Sequence, residues 1–206
     1  LYSSSFFTWQ QSFRHSLLTR ISLQYLNKAT RSSVTLYHTL LTRYVYLDTT
    51  WHPQQDSHVI SLEQAHIQQG LHWRYWISEQ DVLLQYSAAK GPLQLPLLAV
   101  ISRWGYERAL FKRRLLSAIG MEWRYHTPYE AGAYAPLLFS YVTQTTEKIR
   151  NFPRPSLYVN FRVKTFRASV SFEELQQLFT RNTILYPGYA APNFLIHFGF
   201  HWMFVN

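Results

Sequence analysis

Two prolines one residue apart, in Asn151-Phe152-Pro153-Arg154-Pro155, constrain this chain more than any other short stretch. Each fixes its own φ, removes an N–H donor and pushes the preceding residue out of the helical region, so no regular element runs through the pair. The residue pattern changes there. Beyond it, Leu157, Val159, Phe161 and Val163 alternate with Tyr158, Asn160, Arg162 and Lys164, the period of a strand with one apolar face. Ser171 and Glu174 form a capping box, which predicts a helix over 172–181. Phe194, Ile196, Phe198, Phe200, Trp202 and Phe204 alternate again and predict a final strand.

Before the prolines the spacing favours helices. Phe13, Leu17, Ile21 and Tyr25 recur every fourth residue and predict a helix over 12–26. Val34 to Leu47 fits a helix or a strand, and 48–60, polar and containing Pro53, reads as a loop. Ser61 with Gln64 and Ser78 with Asp81 offer helix starts, and the aromatic-dense Leu71 to Ile77 fits a strand between them. Gly91, Pro92 and Pro96 mark a connector. A long helix is expected from Pro96 to Ile119, with Gly120 as its cap and Val100, Trp104, Phe111, Leu115 and Ala118 as its apolar stripe. A further connector over 125–136 leads into a helix over 136–149. The expected fold class is therefore α+β, mainly helical over the N-terminal three quarters and β-α-β at the C-terminus. The expected divisions are a basic arm at 1–47, a helical domain at 48–150 and a small β-α-β domain at 151–206. No repeat of fixed period is present.

The 206 residues are 47% apolar and 17% aromatic, enough for a core, but only 15% are charged against ~25% in typical soluble domains. So little charge on so aromatic a chain points to a protein whose surface is covered by partners. The absence of cysteine excludes disulfides, thiolate metal sites and cysteine nucleophiles. No apolar run reaches the ~20 residues of a membrane-spanning helix.

Sites with chemistry are sparse. Ser87-Ala88-Ala89-Lys90 has the spacing of a serine acyl-enzyme, but its companion motifs are absent. His197 and His201 on one strand stand about 13 Å apart, too far to share a metal. Seven glycines include no phosphate-cradling loop, and the eleven acids include no closely paired catalytic set. No cofactor, no metal and no enzymatic activity are expected.

Charge is the more informative signal. The formal net charge is +9, and arginine supplies fifteen of the twenty basic residues. Residues 1–47 hold five basic residues and no acid; residues 103–167 hold twelve basic and four acidic. Arginine interleaved with aromatic rings suits RNA, whose phosphates take the charge and whose bases stack. Arg14, Arg20, Arg31, Arg108, Lys112, Arg113, Arg114, Arg150, Arg154, Arg162 and Lys164 are the expected RNA contacts. The acid-free, Ser/Thr-rich start resembles the composition around a mitochondrial targeting segment. The expectation is a structural subunit of a mitochondrial ribosome, in the matrix or on the matrix side of the inner membrane, bound to ribosomal RNA and neighbouring proteins. Its alternatives are an accessory subunit of a respiratory complex or ATP synthase in peripheral contact with lipid, and a small enzyme with an unfamiliar motif.

Overall fold

A computed structural model describes residues 9, 11–88, 91–150, 153–180 and 184–203. Its elements, in chain order, are β1 (Leu17–Asn27), β2 (Ser32–Thr42), β3 (Val45–Leu47), β4 (Pro53–Gln55), β5 (Val59–Trp73), β6 (Trp76–Ser87), β7 (Leu98–Leu110), β8 (Leu115–His126), β9 (Ala133–Ala135), β10 (Ser140–Val142), β11 (Arg154–Val163), β12 (Phe166–Glu173), β13 (Ile184–Tyr186), β14 (Tyr189–Ala190) and β15 (Leu195–Trp202). Two single 3-10 turns, Pro136–Leu138 and Leu175–Leu178, are the only helical residues among those described. The chain is all-β, and the expected α+β fold with a mainly helical N-terminal three quarters and a β-α-β end is corrected.

Nine strands form one antiparallel meander in the order β1-β2-β5-β6-β7-β8-β11-β12-β15, without a register shift. The edges of β1 and β15 have no strand partner among the described residues. The connections alternate in length. At one rim β1–β2, β5–β6, β7–β8 and β11–β12 are joined by four-, two-, four- and two-residue turns. At the other rim the connections 43–58, 88–97, 127–153 and 174–194 are long and carry the remaining small elements. Of these, β4-β3-β10-β9 make a second, four-stranded sheet, and β13-β14 a third.

The physical reason for the overturned helices is a shared spacing. Leu17, Ile21 and Tyr25, four apart, fall on one face of a helix but equally on one face of a strand, because four is a multiple of two. They lie on one face of β1, with Leu23 completing the alternation. The expected long helix from Pro96 is the hairpin β7–β8: Val100 and Trp104 sit on β7, Phe111 lies in the turn, and Leu115 and Ala118 sit on β8. Ser61 and Gln64 are neighbours along β5 and point to opposite faces, and Ser171 ends up inside β12, so neither capping box caps a helix. The alternating segment from Leu157 is β11, and the last alternating segment is β15, with Phe204 outside the described residues.

Few side chains are fully buried. Among the described residues the buried apolar side chains are Ile60 and Leu62 on β5 and Ala131, Ala135, Val142 and Ile149 in the 127–153 connection. Gly91 brings the 88–97 connection against Ile60 and Asp56, where an added Cβ would meet Ile60 Cδ1 at 3.6 Å. The face carrying Ile60 is thus the one the connections fold across, here termed inner; the opposite, outer face is bare.

Candidate functional site

The register assigns every residue of the large sheet to one face. Its fifty-two outer positions include only two residues that are Asp, Glu, Lys or Arg, namely Glu63 and Arg108. The forty-eight inner positions include eleven. Many apolar and aromatic side chains on the outer face are exposed, from Ile21 and Leu23 on β1 to Phe198 and Phe200, 77% and 84% exposed, on β15. Tryptophan and tyrosine gather toward both rims. Trp73, Trp76, Tyr106 and Trp202 lie toward the short turns, and Tyr86, Trp123 and Tyr125 toward the long connections. Some of the polar atoms that face outward are paired: Trp104 Nε1 donates to Ser102 Oγ at 2.8 Å, and Glu63 Oε1 stands 2.6 Å from His38 Nδ1.

The inner face is a hydrogen-bonded polar surface. Glu79, Arg103 and Glu122 occupy directly opposed positions on β6, β7 and β8, an alternating row of charge. Arg103 Nε lies 2.5 Å and Arg124 Nε 2.6 Å from the two oxygens of Glu122, while Arg103 stands 3.7 Å from Glu79. Beside this row, Asp81 accepts from Gln68 at 3.0 Å and pairs with His66 at 2.8 Å. Gln64 donates to Gln85, and Arg20 donates to Thr39 Oγ1 at 2.9 Å with its guanidinium over the Tyr37 ring. Tyr158 of β11 lies across Gly120 and Gly105, which are opposed on β8 and β7 and leave room for the ring. Toward the short turns a cavity of about 530 Å³ is bordered by Glu107, Asn160, Arg162, Arg167, Ser169 and His201.

At the other rim the long connections are tied down. Gln144, 8% exposed, donates to the Ala131 and Glu147 carbonyls and accepts from the Thr146 and Glu147 amides. Gln94 donates to the Gln144 carbonyl at 2.5 Å, which fastens the 88–97 connection to 127–153. Arg154 pairs with the buried carboxylate of Glu174. Between these segments lies a cavity of about 1000 Å³, walled by Tyr44, Tyr46, Leu93, Tyr129, Tyr141 and Tyr186. Burial first, and then the neighbouring Tyr186 and Tyr141 phenols, hold the Tyr129 hydroxyl above its usual range, so it stays neutral at physiological pH.

Asp48 organises the 43–58 connection. Against the desolvation that would raise it, hydrogen bonds from the Thr50 hydroxyl, the His52 amide, the Gln54 side chain and the Thr50 amide lower its pKa from 3.8 to about 2. A depressed carboxylate stabilises the folded loop above the unfolded value and loses that contribution as pH falls through the folded one. Amide exchange at Thr50 and His52 should therefore stay protected above pH 3.8 and lose protection as pH falls toward about 2. Asp48→Ala should abolish the protection at every pH; unchanged exchange in that variant would refute the role of the carboxylate.

The residues expected to bind RNA do not converge. Arg31, Lys112, Arg113, Arg114 and Lys164 lie in the short turns, with Arg108 and Arg162 close by on β7 and β11. Arg14, Arg150 and Arg154 lie at the opposite rim, and Arg20 points to the inner face between them. His197 and His201 share the inner face of β15, and no metal-ligating group of His and carboxylates occurs among the described residues. Of the serine-lysine motif, Ala89 and Lys90 lie outside the described residues. What sequence reasoning missed is the Glu79–Arg103–Glu122 row, which becomes visible only once β6, β7 and β8 are aligned.

Among the described residues no helix is long and apolar enough to cross a membrane. No curated protein and no solved structure matched the chain. The sequence pattern of one protein family, described as "Putative porin", matches residues 1–206. That match and the all-β fold overturn the reading as an RNA-binding subunit of a mitochondrial ribosome, and with it the respiratory-subunit alternative. By that match over its whole given length, the chain belongs to the family described as "Putative porin".

Proposed function

We propose that this chain builds the wall of a water-filled transmembrane β-barrel, a non-enzymatic pore for small polar solutes in an outer-membrane-type bilayer. The observation that carries the reading is the division of charge between the two faces, two residues outside against eleven inside. A lipid-facing surface cannot solvate charge, whereas a water-filled lumen can, and strands of a membrane barrel alternate apolar-out and polar-in for that reason. The outer aromatic residues near both rims fit the two levels at which amphipathic rings meet lipid headgroups. Short turns at one rim and long connections at the other are the usual layout of such barrels. In hydrocarbon the free N–H and C=O groups along β1 and β15 must find partners, so the working barrel closes either between these two edges or through further strands.

The long connections narrow one mouth, and the charge row sets what passes. Insertion of the purified protein into a planar bilayer should give stepwise increments of conductance; a protein that folds into lipid without conducting would refute the pore. Glu122 is the pivot of the charge row, shared by Arg103 and Arg124. Glu122→Gln removes the negative charge between two arginines, so the reversal potential in a salt gradient should move toward anion selectivity. An unchanged reversal potential would show that permeating ions do not pass this row.

A further inference from the structure

The two rims differ in charge as sharply as the two faces. The four short turns, 28–31, 74–75, 111–114 and 164–165, contain seven cations, Lys28, Arg31, Arg74, Lys112, Arg113, Arg114 and Lys164, and no acid. The four long connections carry five cations and five acids. Among the described residues none of the seven turn cations has a carboxylate partner.

A second observation concerns the backbone. Arg31, Arg74, Lys112, Arg113 and Lys164 all have positive φ, between 50° and 67°. Glycine or asparagine takes this conformation at least cost, and a tight turn ordinarily uses them. Each of the four turns instead places a long cation there. Turn geometry therefore does not account for these residues, and charge at this rim does.

We propose that the short-turn rim is a docking surface for the anionic phosphate headgroups of the adjacent lipid leaflet. The proposal rests on the membrane-barrel reading. The aromatic residues next to the turns place the rim at headgroup depth: Trp73 and Trp76 flank the Arg74 turn, and Arg108 lies over the Tyr75 ring at 5.7 Å. Long arginine and lysine side chains at that level lay their stems along apolar surface and present their charge to phosphate. Arginine adds a planar fork that takes two phosphate oxygens at once.

The test measures preference at the protein boundary. The full chain is folded into phosphatidylcholine vesicles, and the association of spin-labelled phosphatidylglycerol is compared with that of spin-labelled phosphatidylcholine. A cation near an anionic headgroup favours it by roughly fivefold, so the wild type should prefer phosphatidylglycerol by that factor or more, less so in high salt. The triple variant K112Q/R113Q/R114Q should fold equally well in these neutral vesicles and lose several-fold of the preference. Equal association of the two lipids with the wild type overturns the proposal, as does a triple variant that keeps the wild-type preference. A wild type that never inserts into vesicles sinks the membrane-barrel reading itself, which separates the two failures.

Discussion

Ile67→Arg should destabilise the membrane-folded protein by about 2–4 kcal/mol, the cost of an arginine near the middle of the lipid face of a barrel. Ile67 lies near the middle of β5 on the outer face, opposed to Val34 on β2 and Val82 on β6, with no polar neighbour in its row until Tyr25 on one side and Tyr125 on the other. The neighbouring residue supplies the control. Gln68 faces inward and already donates to Asp81 at 3.0 Å, so Gln68→Arg places its charge beside a carboxylate in the polar lumen. That variant should stay within about 1 kcal/mol of wild type, the usual range for a solvated, paired charge. Reversible unfolding in lipid vesicles, followed by tryptophan fluorescence, measures both. Two adjacent residues given the same substitution should thus show opposite outcomes. Equal tolerance at both positions would mean that the outer face does not meet hydrocarbon.

The same alternation explains how much of the fold was legible beforehand. From Leu157 to Lys164 the period of two is unbroken, and β11 is found there. In β1 Thr19 interrupts the alternation of Leu17, Ile21, Leu23 and Tyr25, and the every-fourth spacing of 17, 21 and 25 mimics a helix. The hairpin β7–β8 was hidden by its own turn. Phe111-Lys112-Arg113-Arg114 contains no glycine, proline, asparagine or aspartate, and a run of good helix formers with left-handed backbone leaves no local mark of a reversal. The composition was legible as well, but composition alone does not say what covers the surface. Low charge and abundant aromatic residues do indicate a covered surface, and lipid accounts for that cover as fully as protein partners do. The basic residues were separated in sequence from the acids they meet in space: Arg103 and Glu122 are nineteen positions apart, and only the register of β7 with β8 joins them. The arginines taken as a nucleic-acid signal therefore include members of ion pairs, Arg154 with Glu174 among them.

Glycine substitutions on the inner face should rank by what lies above each one. At Gly120 an added Cβ would fall inside contact distance of Tyr158 Cζ and Oη and would lie 2.6 Å from the Trp104 carbonyl oxygen. The ring can swing away, but the carbonyl belongs to the opposed strand β7 and cannot move without opening the ladder. Gly120→Ala should therefore cost about 1–3 kcal/mol, the range for overpacking a filled site. At Gly105 the same atom would come too close only to the Tyr158 hydroxyl, at 2.9 Å, which is the free end of a side chain, while the Ile119 carbonyl at 3.8 Å is an ordinary contact, so Gly105→Ala should cost less. At Gly70 the nearest atom is Arg31 Cβ at 3.6 Å, an ordinary contact, and Gly70→Ala should be the mildest of the three. Combining Tyr158→Ala with Gly120→Ala separates the two contacts. If the ring carried the whole clash, the alanine at 120 would add no further loss to Tyr158→Ala. The carbonyl contact predicts that a loss remains. Unfolding midpoints of the four single variants and the double variant decide it, and a Gly120→Ala protein as stable as wild type would refute the close approach of the Trp104 carbonyl to position 120.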